Sequence, residues 1–106
     1  MKDDAVYLAQ IRDTLSKIEL FVGTSSEQEF QTDQKTQSAV ILPLALIGEL
    51  AKRVSDETRG RIDLPWKEIA GFRDRIIHDY YNIDVAIVWK TITDDVPVLR
   101  AALSAS

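Results

Sequence analysis

Apolar residues Leu8, Ile11, Leu15, Ile18 and Val22 recur every three or four positions, which places them on one face of a helix. Gly23 follows as a C-cap. Ser26 and Glu29 have the spacing of a capping box, so a second helix is predicted to begin there, with Asp33 as another N-cap soon after. Val40, Ile41, Leu44, Ile47, Ala51 and Val54 then form one long stripe running from Asp33 to Val54. Pro43 removes a backbone donor inside it and predicts a kink over 39–43 rather than a break. Gly48 costs helix propensity, and its expected use is close helix packing.

From Ser55 to Leu64 the apolar period disappears, which predicts a loop carrying Arg59 and Arg61. Pro65 suits the first turn of the next helix, where Trp66, Ile69, Phe72, Ile76, Ile77 and Tyr80 resume helical spacing. Asn82 can stop that helix, and Asp84 can cap another bearing Val85, Val88, Trp89 and Ile92. Asp95 and Pro97 are expected to open a last short helix through Val98, Leu99, Ala102 and Leu103. Strand signals are almost absent, and there is no repeat or linker. The pattern predicts an all-α bundle forming a single domain over residues 1–106.

Composition narrows the function classes. The 106 residues are 45% hydrophobic and 28% charged, an ordinary globular balance. The absence of cysteine removes disulfides, thiolate metal sites and cysteine nucleophiles, and suits a reducing cytosol. No apolar run approaches the roughly 20 residues that span a bilayer. Met1-Lys2-Asp3-Asp4 lacks the profile of a signal peptide. A cytoplasmic protein with no membrane contact is expected. The net charge of −4 argues at first against nucleic acid. From Lys52 to Arg75, however, seven basic residues face five acidic ones, against six and twelve in the remainder. Arg59, Arg61 and Arg75 are therefore candidate anion-binding residues, although a mixed, solvated surface gives the same count.

Chemistry concentrates in one place. Arg73, Asp74, His78 and Tyr80 lie within eight residues, and His78 is the single histidine. An imidazole titrates near neutral pH and can move a proton, while a guanidinium matches phosphate oxygens and stays charged. The pair suits phosphodiester cleavage without a metal or other cofactor. On one continuous helix, Asp74 and His78 would be neighbours four apart, so Asp74 could support the protonated ring. Arg73 and Tyr80 would share another face, two turns apart. A bland reading stands beside this one: a histidine near a helix C-terminus also complements the helix dipole, and Arg73 could simply pair with adjacent acids. Asp94-Asp95 has the look of a metal pair, but beside Pro97 it reads as a helix cap. Trp66 and Trp89 read as core.

The stretch from Leu64 to Tyr81, with Arg73-x4-His78-x-Tyr80 at its centre, resembles the motif region of the HepT-like family of the HEPN superfamily. Asp33–Val40, Ile47-Gly48-Glu49, Ile83–Trp89 and Val96–Leu99 extend the resemblance over nearly the whole chain. It implies a HEPN-type bundle of four to five helices, dimerised so that two motifs meet in a cleft. It also implies a metal-independent endoribonuclease acting on RNA rather than DNA. His78 would be the general base or acid, Arg73 the phosphate-binding group and Asp74 a support, at a position often Asn in relatives. The resemblance further implies a type VII-like toxin–antitoxin pair with a nucleotidyltransferase antitoxin of the MntA type, which adenylylates the tyrosine at Tyr80. A non-catalytic HEPN module that binds nucleotides or proteins as the partner of a nucleotidyltransferase is the alternative.

Overall fold

The computed structural model describes residues 2–77 and 82–104. Helix α1 (Lys2–Val22) ends where Gly23 adopts a left-handed φ of 55°. That conformation is nearly free for glycine and costly for other residues. Helix α2 (Glu27–Thr32) starts with the expected box: the Ser26 hydroxyl accepts from the Glu29 N–H, and the Glu29 carboxylate accepts from the Ser26 N–H. Asp33 caps α3 (Gln34–Arg53) by accepting from the Thr36 N–H. Pro43 sits within α3 without interrupting it.

The stretch expected to be a loop contains a helix, α4 (Asp56–Arg61). The reason is tertiary. The Asp4 carboxylate accepts from the Ser55 N–H at 3.0 Å, the Ser55 hydroxyl at 2.5 Å and the Thr58 hydroxyl at 2.6 Å. Ser55 in turn accepts from the Thr58 N–H and so caps α4. A side chain over fifty positions upstream organises this turn, beyond the reach of any local pattern.

The helix predicted from Trp66 through Tyr80 is also divided. Helix α5 (Trp66–Ala70) begins after Pro65, and Gly71 separates it from α6 (Phe72–Ile76). Ile77 is extended, with φ −108° and ψ 103°, and pairs across an isolated antiparallel bridge with Ile83. The Asp84 N–H donates to the Ile76 carbonyl at 3.1 Å, closing the same neck.

Asp84 caps α7 (Val85–Lys90) as expected, accepting from the Ile87 N–H. Asp95 and Pro97, expected to start a separate helix, lie instead within a continuous helical rod. A wide π turn over Thr91–Asp95 joins α7 to α8 (Val96–Ser104). The Val96 N–H bonds to the Thr91 carbonyl, five residues back. This wide turn accommodates Pro97, which has no N–H for an ordinary α turn. Counting the rod once, seven helical bodies are present among the described residues, against the four to five expected, because short α4, α5 and α6 replace one loop and one longer helix.

These bodies share one core. Ile11, Leu15 and Ile18 of α1 meet Val40, Leu44 and Ile47 of α3, joined by Ile69, Phe72 and Ile76 and closed by Val88, Leu99 and Leu103. Trp66 is buried and its indole N–H donates to the Ile62 and Arg59 carbonyls, which ties α5 to the end of α4. Trp89 packs against Phe30 with ring centroids 5.2 Å apart. No helix among the described residues is long and apolar enough to cross a membrane.

Candidate active site

Arg73 lies on α6, whose Phe72 and Ile76 point into the core, so the arginine is turned outward. Its side chain is 59% exposed, and among the described residues it pairs with Asp74 at 3.8 Å, itself 81% exposed. A pair this long and this wet is weak. The guanidinium is thus held loosely and is open to an arriving anion.

His78 and Tyr80 fall outside the described residues. The structure does show how the chain reaches them: α6 ends at Ile76, Ile77 turns extended, and the chain returns at Ile83 opposite Ile77. One continuous helix from Arg73 to Tyr80 is therefore not present. The division into an Asp74–His78 face and an Arg73–Tyr80 face assumed such a helix, and its His78 and Tyr80 lie outside the described residues. Extended backbone at Ile77 removes the geometry on which four-residue neighbours depend.

The other candidate arginines have distinct surroundings. Arg59 turns back on α3, its Nε donating to the Val54 carbonyl at 2.9 Å and its Nη2 to the Lys52 carbonyl at 2.8 Å. It thereby satisfies carbonyls at the end of α3 that the helix leaves open. Arg61, at the end of α4, is exposed. Arg75 faces the C-terminal rod: its Nη2 donates to the Thr91 hydroxyl at 2.9 Å and lies 3.5 Å from the Asp95 carboxylate. Its guanidinium also stands 5.8 Å from the centre of the Phe72 ring. Among the described residues, no hydrogen bond or ion pair connects Arg59 or Arg61 to α6.

The Arg75–Thr91–Asp95 cluster was not foreseen from the sequence. Arg75 lies sixteen or more positions from the other two members, and Asp95 carried the pattern of a cap. A weak signal existed in the helical spacing of Thr91 and Asp95, which puts both on one face.

Hollows open among the described residues. One, of about 20 Å³, is lined by Leu64, Pro65, Ile69, Phe72, Val98 and Leu99 among others, room for little more than one water. A larger groove of about 370 Å³ runs between α1 and α3, past Phe21, Leu42 and Leu46. Arg73 lines neither.

Residues 11–106 match the family model described as ribonuclease HepT-like. The chain belongs to the HepT-like ribonuclease family. Among HepT-like relatives, a probable ribonuclease HepT of Thermococcus cleftensis is 40% identical over 95 residues, covering 89% of this chain and 86% of its own. A protein of Caldanaerobacter subterraneus named "Putative RNase" is 38% identical over 102 residues, covering 94% and 90%. A protein of Methanocaldococcus jannaschii named for gamma-glutamylcyclotransferase and RNase functions is 34% identical over 100 residues, but the match spans 45% of that longer protein. No solved structure matches. The HEPN-type, all-helical architecture expected from the sequence is the one observed.

Proposed function

We propose that this chain is a metal-independent endoribonuclease in which Arg73 binds the scissile phosphate and His78 moves the proton. The carrying observation is Arg73 itself: an exposed, loosely paired guanidinium on a core-anchored helix, five positions before the single histidine, in a HepT-like chain. In the reaction the RNA 2′-oxygen bonds to phosphorus as the bond from phosphorus to the 5′-oxygen breaks. The 2′-hydroxyl proton passes to a base, the 5′-oxygen receives a proton, and a 2′,3′-cyclic phosphate remains. Arg73 offsets charge on the phosphate oxygens as it builds. Asp74, alongside, supports the site's hydrogen bonding, and exposed Arg61 adds attraction for the RNA backbone.

Two proton transfers and one histidine per chain favour a cleft completed by a second copy. The chain then acts as the toxin of a type VII-like toxin–antitoxin pair, in the cytoplasm. A nucleotidyltransferase antitoxin silences it by transferring AMP to Tyr80. The phenolic oxygen bonds to the α-phosphorus of ATP and pyrophosphate leaves. The added phosphate competes for Arg73 and its bulk obstructs the cleft.

Incubating the purified chain with total cellular RNA in EDTA tests the reading. Cleavage is expected, with cyclic phosphate ends, and is expected to disappear in both Arg73→Ala and His78→Ala. Equal cleavage by wild type and both variants would refute the assignment. Binding of RNA without cleavage would favour a non-catalytic module.

A further inference from the structure

The helix that carries Arg73 is unusually dependent on its neighbours. Helix α6 has five residues, too few to be stable alone, and Gly71 gives it no side-chain cap. Phe72 and Ile76 bury one edge, four residues apart and hence one above the other. Such a seam permits the short helix to roll about its own axis. Among the described residues, Arg75 is the α6 side chain with polar contacts to another helical element, and these contacts oppose that roll.

The receiving site is built. Thr91 is fully buried, and its hydroxyl hydrogen is committed to the Ile87 carbonyl at 2.8 Å. Its oxygen is thereby oriented to accept from Arg75 Nη2 at 2.9 Å. Asp95, from the same π turn, supplies a carboxylate at 3.5 Å, and the Phe72 ring supports the guanidinium face. Residues two apart on a helix project about 200° from each other. Drawing Arg75 against the rod therefore directs Arg73 away from it, toward solvent.

We infer that Arg75 is a positioning residue: by fixing α6 to Thr91 and Asp95 of the π turn it sets the direction of Arg73 toward the scissile phosphate. This rests on the ribonuclease reading of the Arg73–His78 site, and it assigns Arg75 a task other than touching RNA.

The test combines two measurements on the full chain. Single-turnover cleavage of a labelled mixed-sequence oligoribonucleotide is followed at saturating protein. Affinity for the same RNA is measured in a His78→Ala background, where cleavage is blocked. Arg75→Ala and the isosteric Thr91→Val are each expected to lower the maximal rate about tenfold or more, with RNA affinity within about twofold of the parent. The double variant is expected to be little worse than either single one, because both remove one contact. Arg75→Lys is expected not to restore the rate, since an ammonium lacks the planar fork. A loss of affinity with unchanged maximal rate, repaired by lysine, would instead make Arg75 a direct RNA contact and overturn the inference. Amide hydrogen exchange without RNA gives an independent reading. The Ile76 and Ile77 N–H groups are expected to exchange at least about tenfold faster in Arg75→Ala, with the α1 and α3 cores unchanged. Unchanged exchange there would also overturn the inference. Should the wild type cut no RNA, or Arg73→Ala cut as well as wild type, the ribonuclease reading fails and takes the positioning role with it. The exchange data would still separate that result from a failure of the anchor.

Discussion

Gly48 of α3 lies so close to Ile69 of α5 that a Cβ on the glycine would stand 3.0 Å from the Ile69 carbonyl oxygen and 3.3 Å from that of Ala70. Both obstacles are backbone atoms, which cannot swing aside as a side-chain tip would. The contact sets how closely the segment leading to Arg73 approaches the central helix.

Gly48→Ala is therefore expected to destabilise the protein. Overpacking typically costs about 1–3 kcal/mol, against a gain of about 1 kcal/mol in helix propensity. Gly60 is the internal control: it is exposed on α4, with nothing within 4 Å of its would-be Cβ. Gly60→Ala is expected to stabilise by about 0.5–1 kcal/mol. Thermal unfolding of the two variants should move in opposite directions, and equal shifts would refute the argument.

Asp4 is nearly buried, and hydrogen bonds from the Ser55 hydroxyl, the Thr58 hydroxyl and the Ser55 N–H pull its pKa from 3.8 to about 2. A depressed folded-state pKa stabilises the fold above the unfolded value and loses that contribution as pH falls through the folded one. The Asp4 contribution should thus be complete above about pH 4 and fade toward pH 2. Asp4→Asn is expected to lower the melting temperature at pH 7 and to narrow its gap to wild type between pH 4 and 2. A gap independent of pH across that window would count against the carboxylate's role.

Arg100 of α8 reaches Glu19 of α1 at 2.6 Å and also donates to Ser16 at 2.8 Å. Glu19 is 46% exposed, so solvent screens the pair. Arg100→Ala should cost less than about 1 kcal/mol in denaturant titration, and less still at high salt. A larger, salt-independent loss would mean that the arginine's packing matters more than its charge.

Removing His78 should lower RNA cleavage by about 10²–10⁴-fold, the usual scale for a positioned proton-transfer group. Arg73→Lys should fall well short of wild type, because one ammonium cannot replace a bidentate fork. For the proposed regulation, mass spectrometry after incubation with the proposed nucleotidyltransferase partner and ATP should detect AMP on wild type and not on Tyr80→Phe. Modification of the phenylalanine variant would place the acceptor elsewhere.

Sequence pattern and structure agree where interactions are local. The Ser26–Glu29 box, the Asp33 and Asp84 caps and the Gly23 terminus each join groups within four residues, so spacing alone exposes them. The apolar stripes of α1 and α3 were legible for the same reason, because helical period and burial coincide. The close packing expected at Gly48 is present. The motif was legible too, as residue types at a spacing rather than as a shape. The continuous helix expected through it was not realised, since Ile77 keeps helical spacing on paper while the backbone turns extended to meet Ile83.

From the sequence alone came the all-helical class, the core faces, the caps and the Arg73-x4-His78-x-Tyr80 string. These depend on propensity and periodicity, which act over a few residues. Tertiary structure alone decided that Ser55–Leu64 contains a helix, that the motif helix stops at Ile76, and that Pro97 sits inside a rod rather than opening one. It also decided the separate tasks of the arginines: Arg59 on carbonyls of α3, Arg75 on Thr91 and Asp95, and Arg73 left facing solvent. Each of these outcomes turns on which distant partner a side chain or a bare backbone group meets. Such meetings are settled only when the core closes and brings residues far apart in the chain within bonding distance.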